Sequence, residues 1–231
     1  MEKRQKVLIA FFCVLAAITL SGFLKSYLFF YPDFGKFRSL IHIHFAAFTC
    51  WLLLIVAQPV LIRKKNFRLH RLLGKASYFL APILVLTIIL LTRQKVLREF
   101  PVSKDEAIVD ALIGCLDALS FSGYYVAAMV NRRNIRRHVA FIIAASLIVL
   151  NPGLGRLLNL IQPGLGMLGA VLTPFVVSIV ILVYEKLKFK RPVLKSPYFI
   201  FLVCWIFEIA ILIVFPQTDF WKSLVSQSMN N

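Results

Sequence analysis

The sequence predicts an all-α fold: a polytopic membrane protein with seven transmembrane helices. Three observations predict it. The 231 residues are 60% hydrophobic and only 16% charged, whereas a soluble domain is about half apolar and about a quarter charged. Mean hydropathy is +0.82, and the apolar residues fall in blocks matching the roughly 20 residues a helix needs to cross a bilayer. The basic residues cluster between those blocks, as they do where charge fixes membrane orientation.

Residues 1–6 form a basic head, and residues 7–24 an apolar block ending at Lys25. A basic start and short apolar core suit a signal peptide, but no clear A-x-A site follows, so the block reads as an uncleaved first helix. Residues 26–39 form a loop rich in aromatics, among them Tyr27, Phe34 and Phe37, rings that favour the headgroup level. The second helix is expected at 40–62, a basic turn at 63–71, and the third helix at 72–92 around Pro82. A mixed-charge loop follows at 93–106. The fourth helix spans 107–130 with Asp110 and Asp117, and a second basic turn 131–138. The fifth helix, 139–160, is expected to be interrupted at Asn151-Pro152-Gly153. The sixth spans 167–184 and the seventh 197–215 with Glu208, leaving a short tail with Trp221. The whole, 1–231, reads as one integral membrane domain. Residues 1–39 contribute the first helix and aromatic loop, 40–160 a four-helix core (helices two to five), and 161–231 two added helices and the tail.

Seven spans place the two ends on opposite sides. Seventeen Lys and Arg fall on the side of the head and of the loops at 63–71, 131–138 and 185–196, against nine on the other. The basic side faces the cytoplasm, so the N-terminus is expected inside and the C-terminus outside. The net charge of +17 therefore follows from membrane orientation, and no basic, aromatic-interleaved soluble segment offers a nucleic-acid surface. The four cysteines lie inside apolar blocks without a C-x-x-C, which reads as small buried thiols rather than disulfides or a zinc site.

One pattern occurs twice. Asn66-Phe67-Arg68-Leu69-His70 and Asn134-Ile135-Arg136-Arg137-His138 share N-[FI]-R-x-H, each after a basic pair, at an offset of 68 residues. The repeat implies two related helix pairs, two with three and four with five. Extended backwards, the offset sets His42 against Asp110 and Thr49 against Asp117. Arg156 lies about 27 Å along its helix from His138, which suggests an outer cluster of His42, His44, Asp110 and Arg156. His42 and His44 are two apart, about 200° around the axis, so at most one should face the bundle.

Ionisable groups inside a span are costly and normally face the bundle interior or water. Asp110 and Asp117 share a face of helix four, about 10 Å apart. For Asp117 and Glu208 a proton or ion path stands beside a satisfied interhelical hydrogen bond. For His70 and His138 a solvated or headgroup-bound histidine stands beside a pair of imidazoles binding one haem iron, with Arg68, Arg71 and Arg136 meeting its propionates. Pro152, Gly153 and Gly155 mark either a site beside a cavity or a kink. No H-E-x-x-H, G-x-S-x-G or G-x-x-x-x-G-K is present, so no soluble-enzyme chemistry is indicated.

His44, Gln58, then Leu69-His70-Arg71-x-x-Gly74 and Tyr78 resemble the first half of a bacterial family of predicted membrane proteins, domain-of-unknown-function family 2306. His138 and Arg156 match its second half, with Val139 where a basic residue is expected. The resemblance covers about residues 40–160 and implies a bacterial inner (plasma) membrane protein, without supplying an activity. More loosely, the helices resemble transmembrane cytochrome b proteins that hold two haems on four successive helices. Helix four lacks a histidine, which leaves one haem b between His70 and His138, with His44 and Arg156 as further haem contacts. The expected functions are therefore haem-based electron transfer or haem handling, with a respiratory or other membrane complex as partner; a transporter or proton-coupled channel using Asp110, Asp117 and Glu208; or a non-catalytic scaffold.

Overall fold

The computed structural model describes residues 2–230, with side chains from Gln5 to Met229. The side chains of Lys3 and Arg4 in the basic head lie outside the described residues. Among the described residues eight α-helices form: α1 Glu2–Gly22, α2 Ser39–Arg63, α3 Phe67–Glu99, α4 Lys104–Val130, α5 Ile135–Asn159, α6 Leu165–Phe189, α7 Pro197–Val214 and α8 Asp219–Asn230. The first seven are long and apolar enough to cross a membrane, and no strand forms among the described residues. The fold is all-α and polytopic.

The boundaries have local causes. The repeated N-x-R-x-H pattern is a helix start. Asn66 Oδ1 accepts from Leu69 N at 3.1 Å and Asn134 Oδ1 from Arg137 N at 3.2 Å. Each asparagine is thus an N-cap, taking the proton of the third helical amide. Each histidine makes the first backbone bond of its helix, to Asn66 O and Asn134 O. His70 and His138 are therefore first-turn helical residues, not turn residues. Between α2 and α3 the chain reverses in three residues, and Lys65 takes a left-handed φ of 57° while Asn66 N closes back on Leu61 O. That is a Schellman-type stop carried by a residue other than glycine. Ser103 caps α4 by accepting from Glu106 N, and Asp105 and Glu106 complement the helix dipole.

Three expectations change. The mixed-charge loop at 93–106 is mostly helix, because α3 runs on to Glu99 with a Lys95–Glu99 pair one turn apart. The tail holds an eighth helix rather than loose chain. And α5 is unbroken from Ile135 to Asn159, so Pro152 and Gly153 do not interrupt it. Gly153 instead permits a close helix crossing. A Cβ there would lie 2.5 Å from Thr19 O of α1, and a Cβ on Gly22 would strike the Gly153 carbonyl. Small residues let backbones meet in this way inside membranes.

The buried positions follow helical stripes. On α2 they are Ala47, Phe48, Trp51, Leu52, Ile55 and Pro59; on α7 they are Pro197, Tyr198, Phe201, Trp205 and Glu208. Each stripe has the three- and four-residue steps of one helix face. Helix α5 differs: residues 143–150 are buried without a break, as expected of a helix enclosed on all sides. The four cysteines are free and exposed. They lie on outward helix surfaces, so the expectation of buried thiols is corrected: at membrane depth an outward thiol meets an apolar surround and needs no burial in protein.

The chain packs as two compact units, each from two stretches: Met1–Thr87 with Val149–Gly169, and Ile88–Ile148 with Ala170–Asn231.

Candidate functional site

In the second unit, α4 and α7 form a seam of polar and aromatic side chains. Asp117 is the central residue of α4, and Glu208 lies close to the centre of its span, Pro197–Gln217. The two carboxylates interact electrostatically. Ser120 Oγ, one turn from Asp117, donates to Glu208 Oε2 at 2.5 Å. One turn further on, Tyr124 meets Phe201 edge to face with centroids 5.1 Å apart. Glu208 is only 8% exposed, and neither carboxylate has an ion-pair partner among the described residues. An acidic pair at mid-span, Glu208 buried and bonded to one hydroxyl and Asp117 half-buried, has two chemical uses: exchanging a proton or coordinating a cation.

Asp110, two turns along α4, has different partners. Lys95 Nζ of α3 lies 2.6 Å from Asp110 Oδ2 and 3.9 Å from Glu99 Oε2, and the Glu99 and Asp110 carboxyl groups act on each other electrostatically. The second unit thus holds two acidic pairs, one neutralised by lysine and one not. Lys95 and Glu99 were legible only as members of a charged loop.

In the first unit the remaining members of the expected outer cluster separate into two contacts. His42 Nδ1 and the Tyr27 hydroxyl are 2.6 Å apart, inside a ring cluster with Phe34, Phe37 and Phe45. Burial holds the Tyr27 phenol above its ordinary value. His44 turns the other way, to Thr87 Oγ1 of α3 at 2.8 Å. The 200° separation is thus respected, but both histidines are engaged. The Arg156 guanidinium lies 4.4 Å from the Phe23 ring centroid, bonds Pro152 O at 3.2 Å, and acts electrostatically on His44.

His70 belongs to the first unit and His138 to the second. The carbonyl of His70 accepts from Gln58 Nε2 at 3.3 Å. His138 Nδ1 is 2.8 Å from Ala128 O. A carbonyl only accepts, so Nδ1 carries the hydrogen, and the neutral ring then has its lone pair on Nε2. The bond also satisfies one of the last carbonyls of α4, which has no partner within its own helix.

Arg136, expected near haem propionates, is already taken. Its Nε and one terminal nitrogen bond the two oxygens of Glu185 at 2.8 and 2.5 Å. Arg191 reaches Glu185 Oε1 at 2.9 Å, and Ser196 Oγ donates to Oε2 at 2.8 Å. The planar fork of one arginine matches one carboxylate, and Glu185 has occupied it. This clamp joins the start of α5, the end of α6 and the cap of α7. Composition hid it, because Glu185 is a lone acid beside a strongly basic loop.

Seven spanning helices with ionisable side chains inside them define an integral, multi-pass membrane protein. Comparison with protein-family models, with curated proteins and with solved structures finds no match for this chain.

Proposed function

We propose that the protein is a proton- or cation-coupled membrane transporter or channel whose exchanging group is the Asp117–Glu208 pair. The supporting observation is the mid-span placement of one carboxylate on each of α4 and α7, with no ion-pair partner among the described residues and with Ser120, one turn from Asp117, bonded to Glu208. Holding such groups at bilayer depth is costly, and their use is to carry charge through it. The test is proton uptake in proteoliposomes, read by a trapped pH dye under a potassium diffusion potential. Asp117→Asn and Glu208→Gln should each cut the initial rate at least tenfold. Wild-type rates in both refute the proposal.

A second reading, haem binding, draws support from the Nδ1–H bond of His138, because metal-ligating histidines commonly fix their tautomer through such a carbonyl contact. His138 would offer its Nε2 to the iron, which would supply one-electron chemistry. Protein purified from haem-replete cells should then show a Soret band that His138→Ala removes. A colourless preparation that takes up no added haem ends this reading. We also propose membership of the unknown-function family that residues 40–160 resemble, in a bacterial inner membrane with the basic side cytoplasmic. Reporter fusions in the loops at 64–66 and 100–103 test the orientation.

A further inference from the structure

A groove of about 270 Å³ opens on the second unit, walled by the C-terminal third of α3, the first half of α4 and α8. Each wall is one face of its helix: Ile89, Arg93 and Val96 on α3, Ala111 and Cys115 on α4, Trp221 and Val225 on α8, in steps of three and four. The base is closed core, because Val96, Trp221 and Val225 are buried together with Ile108 and Leu112. The Trp221 indole donates to Ile108 O at 3.0 Å and fixes α8 against α4. The mouth is open, because Arg93, Cys115 and Leu224 are exposed.

The groove lies where hydrocarbon gives way to headgroups. Arg93 ends the uncharged run 76–92 of α3. On α8 the helical period puts Phe220, Trp221, Leu224 and Val225 on one half and Lys222, Ser223, Ser226 and Gln227 on the other. Phe220 and Leu224 stay exposed, the pattern of a helix lying in the interface plane. Ile89 is one turn nearer the bilayer centre than Arg93, and Cys115 one turn nearer than Ala111. Water has little to hold it there. Ser228 Oγ already donates to Val225 O at 2.7 Å, the walls are mostly apolar side chains, and apolar cavities stay dry. Left empty, the groove would forfeit dispersion contacts along its length. An acyl chain is the bilayer component with the matching shape and polarity. Arg93 supplies the charge for the other end of such a molecule. Its neighbours are neutralised, Lys95 by Asp110 at 2.6 Å and Arg98 by Glu99 at 3.6 Å. Arg93 itself has no carboxylate partner among the described residues, and a guanidinium fork fits a phosphate with two parallel bonds.

We infer that this groove is a phospholipid site, in which one acyl chain lies along Ile89, Cys115 and Trp221 while Arg93 holds the phosphate of the same molecule at headgroup level. The site is independent of the exchange role proposed for Asp117 and Glu208. It makes one lipid a fixed part of the junction between α3, α4 and α8, whereas lipids on the convex helix faces exchange freely.

The test is native mass spectrometry of the full chain, extracted in dodecyl maltoside and washed free of loosely held lipid. One phospholipid should remain on the wild type. Arg93→Ala, which removes the phosphate contact, and Cys115→Phe, which fills the chain end of the groove, should each lower the retained fraction at least fivefold. Arg98→Ala, whose arginine is paired with Glu99, should leave it unchanged. A second readout needs no variant. Dioleoyl phosphatidylglycerol added to the stripped wild type should slow alkylation of Cys115 by N-ethylmaleimide at least fivefold. Peptide mass mapping follows the rate, with Cys13, Cys50 and Cys204 as references in the same sample. Glycerol phosphate, which has the phosphate without the chain, should give no protection. No retained phospholipid on the wild type, full retention in either groove variant, or a Cys115 rate indifferent to lipid overturns the site. Protection by glycerol phosphate alone would mark a pocket for free phosphate and overturns it as well.

Discussion

Replacing Glu185 by glutamine should be among the most destabilising conservative changes in the protein. The carboxylate accepts four hydrogen bonds: two from Arg136, one from Arg191 and one from Ser196. Glutamine keeps the volume but offers one acceptor oxygen and turns an NH₂ towards a guanidinium. Removing one partner of a buried ion pair costs about 3–5 kcal/mol, chiefly because the surviving charge stays desolvated. Here the surviving charges are not fully buried. Arg136 and Arg191 side chains are 31% and 35% exposed against 9% for Glu185, so water takes up part of their solvation. The expected loss is therefore about 2–4 kcal/mol. It is measurable by SDS titration in mixed micelles, followed by far-ultraviolet circular dichroism. The double variant Glu185→Gln/Arg136→Gln should lose less than the sum of the singles, with a coupling of about 1–3 kcal/mol. A single-variant loss below about 0.5 kcal/mol, or strict additivity, would refute the clamp.

Other outcomes follow from the helix contacts. Gly153→Ala should destabilise by about 1–3 kcal/mol through overpacking against the Thr19 carbonyl, read in the same SDS titration. Asn66→Ala and Asn134→Ala should each cost about 1 kcal/mol as lost caps, with Asp restoring most of it. Trp221→Phe should cost about 0.5–1.5 kcal/mol, since it deletes the indole bond to Ile108 O at 3.0 Å. It should also speed proteolysis within α8, followed by mass spectrometry.

The seven spans were legible because an apolar block of bilayer length is rarely anything but a spanning helix. Their ends were not, because hydropathy marks where lipid stops rather than where the helix stops. Lys95 and Glu99 are too polar for the bilayer core yet support one another a turn apart, so α3 continues past the block that announced it. Asp117 and Glu208 stood out singly as charged residues in apolar runs. Their pairing did not, because it joins two helices with no shared spacing or motif. The repeated N-x-R-x-H string drew attention to its histidines, while its clearest physical role belongs to its asparagines as N-caps. That signal was readable, since asparagine just before an apolar run is a helix-start residue.

The seam between α4 and α7 also bears on how the protein is made. Asp117 and Glu208 are 91 residues apart in the chain. At about 5–20 residues per second, translation delivers α4 roughly 5–20 s before α7 exists. During that interval Asp117 reaches the membrane without the Ser120–Glu208 contact that later lies beside it. Helix α4 therefore has to be admitted on the strength of its own apolar residues, and α7 completes the seam by docking alongside it. Variants that add a further charge near Asp117 on α4 should fail at insertion, before the stability of the finished fold comes into play.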